Sequence, residues 1–170
     1  MNSRIRYAWM PSPLGDVLLV ADDEALRGLY FHDQKYFPSV DAAWSRQARS
    51  PVIDATRRQL DEYFAGSRSC FDLPLAPQGT PFQRAIWKAI AEVPCGQTRT
   101  YADLAARVGH AGSARAAGAA TGRNPLSIIV PCHRIVGSDG SLTGYAGGLD
   151  RKKRLLALER TVVGTARRAA

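Results

Sequence analysis

Ser127-Ile128-Ile129-Val130-Pro131-Cys132-His133-Arg134 is the stretch on which the reading of this chain turns. An apolar run delivers a thiol, an imidazole and a guanidinium in succession. A free thiol has a pKa of roughly 8.5, and a neighbouring imidazole or arginine lowers it. The tetrapeptide Pro131–Arg134 therefore predicts an activated cysteine nucleophile, led in by a proline that restricts the backbone. Taken alone, a cysteine after a β-like run is more often a small buried hydrophobe. In a regular strand, neighbouring side chains point to opposite faces. Cys132 and His133 can cooperate only if the strand ends at Pro131 and the chain bends, which Gly137-Ser-Asp-Gly140 favours.

Working back from this stretch, Gly122-Arg-Asn-Pro125 reads as a turn, with an Asn124 side chain able to bond nearby backbone. Before it stand two short helices. Thr100 can cap the first, Tyr101 to Val108, and Gly109 stops it. Ser113 can cap the second, which runs to about Thr121. The spacing is that of a helix–turn–helix. The second helix is nearly all Ala and Gly, with Arg115 its one long side chain. Such a helix suits close packing on a neighbour or close approach to DNA. Upstream, Thr80, Pro81 and Gln83 predict a capped helix start, and Phe82, Ile86, Ile90 and Val93 give it a core-facing side. Pro94-Cys95-Gly96-Gln97 breaks that helix, and Cys95 reads as structural. Forward of Arg134, Leu142–Gly148 is a Gly-rich loop with one aromatic. Arg151 to Glu159 closes the domain as a helix with Leu155, Leu156 and Leu158 on its apolar side. Glu159, near the expected helix end, opposes the helix dipole and calls for a partner.

The first part of the chain predicts a small α/β unit. Asp16–Ala21 and Leu26–Phe31 read as a hairpin, Pro51–Phe64 as an amphipathic helix ended by Gly66, and Phe71–Leu75 as a further edge strand. No catalytic constellation is visible there, so it reads as a supporting domain. Ala76–Pro81 is the linker. The expected fold is α+β: residues 1–78 form an N-terminal domain with a short antiparallel sheet, and residues 79–160 form a mainly helical domain. Residues 161–170 are expected to be a disordered tail.

The net charge of +8 is unevenly spread. Residues 1–78 carry nine Lys/Arg against ten Asp/Glu, and residues 79–170 carry fourteen against five. That step predicts an acidic partner for the second half, with nucleic acid the commonest kind. Three cysteines cannot all pair, no leader is evident and no apolar run is long enough for a membrane. The expected setting is a reducing cytoplasm. Cys70, Cys95 and Cys132 lack paired zinc spacing, and His32 and His110 are isolated, so no metal is expected.

In order and spacing, the motifs over residues 80–160 resemble the O6-alkylguanine-DNA alkyltransferases. The carriers are Ile-Ile-Val-Pro-Cys-His-Arg, Arg115-Ala-Ala-Gly118, Tyr101, Asn124-Pro125, Tyr145-Ala-Gly-Gly-Leu149 and Glu159. The resemblance implies a direct-reversal DNA repair protein that flips O6-alkylguanine from duplex DNA. It would transfer the alkyl group, methyl preferred, to Cys132 in a single turnover. By that resemblance His133 acts as base through a water, Glu159 orients it, Tyr101 protonates or hydrogen-bonds the leaving guanine, and Asn124 holds the active-site turn. Arg115 would fill the gap left by the flipped base. Ala114, Ala116, Ala117 and Gly118, with Thr100 and Arg123, would meet DNA in the minor groove. Ile135, Thr143, Tyr145, Ala146 and Gly147 would form the base pocket. Ala146 stands where some members carry Ser, which leaves lesion preference open, O4-alkylthymine included. No cofactor and no zinc are implied, and the protein is expected to be monomeric, cytoplasmic and free of membrane. The sensor module of the bacterial adaptive response is absent, so transcriptional activation through it is not expected.

Three other readings meet specific obstacles. Alkyltransferase-like proteins, which bind lesions without repair, replace the nucleophile that Cys132 supplies here. Cysteine hydrolases draw their His from a distant segment. A transcription factor would carry polar base-reading side chains on its second helix.

Overall fold

The computed structural model describes residues 4–47 and 49–169. The N-terminal domain is a sheet backed by one helix. Strands β1 (Arg6–Met10), β2 (Val17–Ala21) and β3 (Leu26–Phe31) pair antiparallel in sequence order. Asp22 forms the β2–β3 turn, its side chain accepting from the N–H groups of Glu24 and Ala25 at 2.9 and 2.7 Å. β4 (Ser45–Arg46) joins the far edge parallel to β1, so the sheet is mixed rather than wholly antiparallel. The edge strand expected at Phe71–Leu75 is a single bridge between Leu26 and Leu75. Pro74 has no N–H to extend it.

Helix α1 (Pro51–Phe64) starts where Ser50 accepts the Ile53 N–H and Pro51 opens the first turn. Val52, Ile53, Thr56, Gln59, Leu60 and Tyr63 recur at helical spacing and bury against β2 and β3.

In the second domain, α2 (Pro81–Ala91) has the expected capping box of Thr80 and Gln83. The Trp87 indole N–H donates to the Ala120 carbonyl at 2.8 Å, tying α2 to the helix that carries Ala120. β5 (Arg99–Thr100) leads into α3 (Tyr101–Arg107), capped reciprocally by Thr100 and Asp103. α4 (Ala114–Gly122) follows the turn, but Ser113 makes no side-chain cap bond.

The run Ser127–Val130 is not a strand. Ile128 has a φ of 71°, and the chain folds on itself through Ile129 N–H to Ser127 O and Val130 N–H to Leu126 O. The Asn124 amide makes this possible: it accepts from Leu126 N–H at 2.9 Å and donates to Val130 O at 2.8 Å, replacing sheet partners for a buried backbone. A 3-10 turn, Cys132–Arg134, then bends the chain into β6 (Ile135–Val136), which pairs parallel with β5. That pairing sets the nucleophile turn beside the start of the helix–turn–helix.

The last helix, α5 (Leu149–Ala169), runs through the residues expected to be disordered. Val162 lies over Gly66 and Val163 over Gly96, so both glycine turns give this extension a surface to pack on. Glu159 is therefore mid-helix, not at its end. Residue 170 lies outside the described residues.

Candidate active site

A cavity of 410 Å³ opens between the domains, a volume in the range of small-molecule sites. Cys132 is at its floor, only 4% exposed. Tyr101 and α4 form one wall, through Gly118, Ala119, Thr121 and Gly122. Gly144, Tyr145 and Ala146 line the cavity beside Tyr101, and Lys35 and Tyr36 reach in from the N-terminal domain.

Asn124 holds the thiol as well as the turn, since its Nδ2 donates to Cys132 Sγ at 3.1 Å. Behind Cys132 lies a buried polar chain. His133 Nε2 meets Glu159 Oε1 at 2.7 Å, and both side chains are fully buried. Glu159 is a carboxylate here: burial alone would raise its pKa, but hydrogen bonds from His133 and Arg134 overcome this and hold it well below the usual range. The imidazole thus donates Nε2–H to Glu159, and Nδ1 is left as the lone-pair nitrogen. Nδ1 is buried and meets no hydrogen-bond partner among the described residues.

The electrostatics correct one expectation. Burial pushes the Cys132 thiol up, and the Asn124 bond and Lys152 charge only partly offset it. Arg134 does not lower it, because the guanidinium turns away to grip Glu159 and the Val93 carbonyl. Burial likewise pulls His133 below its ordinary value, against the Glu159 carboxylate. The resting pair is a neutral thiol and a neutral imidazole. This is the state in which a base can take the proton when it is needed.

Tyr101 OH donates to the Thr143 carbonyl at 2.9 Å, and burial raises its pKa. Of the expected base-pocket residues, Tyr145 and Ala146 line the cavity, while Ile135, Thr143 and Gly147 do not. Gly147 is buried between the rings of Tyr145 and Phe31, where a Cβ would come within 3.0 Å of both. The Tyr145 hydroxyl is buried without a hydrogen-bond partner.

On α4, Arg115, Ala116 and Ala119 are exposed, while Ala114 and Gly118 are half-buried. Ala117 is not on this surface; it is fully buried, because it falls on the helix face packed against the core. Gly122 has open space where a side chain would be. Thr100 caps α3. Arg123 lies 3.7 Å over the Tyr36 ring, joining the two domains at the cavity rim.

Lys152 escaped the sequence reading. It sits in the run Arg151-Lys-Lys-Arg154, which looks solvated, yet it is fully buried. Its ammonium donates to the carbonyls of Ile135, Thr143 (3.0 Å) and Gly144 (3.1 Å). Burial pulls its pKa to about 8, so it is still charged at neutral pH. A signal was available, since positions 152, 155, 156 and 159 share one helical face. Lys35, Tyr36 and Tyr63 escaped too; the first two line the cavity from the N-terminal domain. Tyr63 OH donates to Glu159 at 2.8 Å.

Comparison with known proteins agrees with this arrangement. Residues 81–161 match the model of the 6-O-methylguanine DNA methyltransferase DNA-binding domain, and residues 5–77 that of the same family's ribonuclease-like domain. A methylated-DNA–protein-cysteine methyltransferase of Methanosarcina acetivorans is 46% identical over 90% of this chain and 97% of its own length. The crystal structure of the Mycobacterium tuberculosis O6-methylguanine methyltransferase superposes with a TM-score of 0.85, at 41% identity over 92% of this chain and 93% of that one. The M. tuberculosis OGT solved in complex with DNA superposes equally well, at 39% identity over 92% and 94%. Two family models that together span most of the chain, over a matching fold, make it a member of the 6-O-methylguanine DNA methyltransferase family.

Proposed function

We propose that this protein repairs O6-alkylguanine in duplex DNA by moving the alkyl group to Cys132. The observation that carries this reading is a buried thiol at the floor of a base-sized cavity, backed by the His133–Glu159 pair and flanked by the bare face of α4.

A stacked guanine cannot present O6 to a recessed thiol, so the nucleotide is flipped out, at a cost of about a few kcal/mol. Arg115 fills the gap in the duplex. The small residues of α4 let the backbone approach the minor groove, with Thr100 and Arg123 beside it. In the cavity the base lies between Tyr145, Ala146 and α4. A water joining the thiol to His133 Nδ1 carries the proton from sulfur to imidazole, while Glu159 holds the ring. The thiolate forms a bond to the alkyl carbon as the carbon–O6 bond breaks. Tyr101 leaves Thr143 and protonates or hydrogen-bonds guanine at N3. In net terms the thiol proton passes to guanine and the alkyl group to sulfur. The product is a thioether. A thioether does not give its alkyl group up again, so each molecule acts once.

The protein acts as a monomer without a cofactor, in the cytoplasm. No helix among the described residues is long and apolar enough to cross a membrane. Intact-protein mass after incubation with a duplex carrying one O6-methylguanine tests the reading. The expected result is a gain of one CH2 per chain, mapped to Cys132, with none in C132S. Unchanged mass together with selective binding of the damaged duplex would make this a lesion-binding protein and overturn the transfer.

A further inference from the structure

We infer that Tyr63, on α1 of the N-terminal domain, is a positioning residue of the transfer reaction, its hydroxyl setting the basicity of His133 through the carboxylate oxygen they share. The inference rests on His133 acting as the base. Glu159 Oε1 accepts from His133 Nε2 at 2.7 Å, Arg134 Nη2 at 2.8 Å and Tyr63 OH at 2.8 Å. Oε2 accepts from Arg134 Nε at 2.9 Å and the Gly96 N–H at 3.3 Å. A carboxylate offers about four lone-pair sites, so five donors saturate it and three of them share the oxygen that faces the imidazole. Each donor withdraws charge from that oxygen. With the Tyr63 hydroxyl in place, Oε1 is a weaker partner for an imidazolium, and His133 stays neutral to lower pH.

The ring is fixed for this task. Tyr63 is 1% exposed and packs against Phe64 and Phe71, at centroid distances of 5.5 and 5.3 Å. Its proton stays on the oxygen, since burial and the adjacent Glu159 both raise its pKa. The other groups facing the pair are Arg134 in the 3-10 turn, Cys132 beside it, Lys152 from the first turn of α5, Cys95 from the turn after α2 and Tyr145 from the loop. Tyr63 is the neutral donor among them that comes from the N-terminal domain.

Tyr63→Phe removes the hydroxyl and keeps the ring packing. Two measurements on the full chain test the inference: the His133 titration followed by NMR of histidine-labelled protein, and the rate of methyl transfer against pH. In the variant, Oε1 attracts the imidazolium more strongly. The titration midpoint is expected to rise by roughly half to one pH unit. The acid limb of the rate profile should move to higher pH with it, the alkaline plateau retained. An unmoved His133 titration, or a uniform fall in rate at every pH, overturns the inference. A moved titration with an unmoved rate profile shows that His133 is not the base, and removes Tyr63 from the reaction while leaving the coupling intact. Urea unfolding of the variant identifies any uniform loss that comes from misfolding.

Discussion

At the scale of single residues, the site is organised by what burial forbids. A buried carboxylate persists only when its partners repay its lost hydration. Glu159 has them in His133, Arg134 and Tyr63. Its folded pKa lies below the unfolded value of about 4.3. The stability it contributes is therefore complete above that value and is lost as pH falls through and below it. Glu159→Gln should cost about 3–5 kcal/mol at neutral pH, because Arg134 is left buried without its counter-charge. It should also narrow the gap in urea midpoint between pH 7 and pH 3, since the variant has already lost what acid takes away. The depressed Asp22 and Asp33 remain in both proteins and cancel. A gap of wild-type size in the variant would mean that Glu159 is not the carboxylate linking pH to stability. Cys132 illustrates the same principle in reverse. Its adjacent His and Arg suggest a standing thiolate, but burial leaves it a thiol. Sequence adjacency alone does not reveal where a guanidinium points.

At the scale of elements, the active-site wall is held by α5 through one side chain. Lys152 anchors the Ile135 carbonyl on β6 and the Thr143 and Gly144 carbonyls of the following loop. Tyr101 meets the same Thr143 carbonyl, so the loop's position and the hydroxyl's position are set together. Lys152→Met leaves the helix its apolar face but frees three acceptors. Amide exchange should rise across residues 143–148 while α5 keeps its protection, and methyl transfer should fall by roughly tenfold or more, a barrier raised by about 1.4 kcal/mol or more. Unchanged exchange in that loop would show that Lys152 does not hold it. Helix starts are legible because they are local: Thr80 with Gln83, and Thr100 with Asp103, place their caps within three residues. The run at 127–130 is not, because its β-like composition hides a bend completed by a side chain at 124. The helical tail is hidden for a related reason. Val162 and Val163 look isolated until the turns at Gly66 and Gly96 supply the surface they cover.

At the scale of the whole molecule, the two halves are less separable than their compositions imply. The charge step at residue 79 marks the DNA-facing half, and the Cys132, His133, Glu159 and Asn124 constellation lies entirely within it. The contributions of the first half were illegible because they join residues far apart in the chain, Tyr63 with Glu159 across 96 positions and Tyr36 with Arg123 at the rim. Backbone bonds stitch the same seam. Leu29 N–H donates to Pro125 O at 2.8 Å, Ser127 N–H to Leu29 O at 3.0 Å, and Lys35 N–H to Ala146 O at 2.9 Å. Arg151 adds bonds to the Leu14 carbonyl at 2.7 Å and to Asp33. A fragment of residues 79–170 would keep Cys132, His133, Asn124 and Glu159 yet expose Leu126 and Ile128, both buried in the full chain. It would also take from the Pro125 carbonyl and the Ser127 N–H the backbone partners that β3 now gives them. Such a fragment should show weak, poorly cooperative unfolding and little methyl transfer, and addition of residues 1–78 in trans should restore part of both. A fragment that unfolds cooperatively and is methylated at the full-length rate would show that the seam, Tyr63 and Tyr36 included, is dispensable to the chemistry.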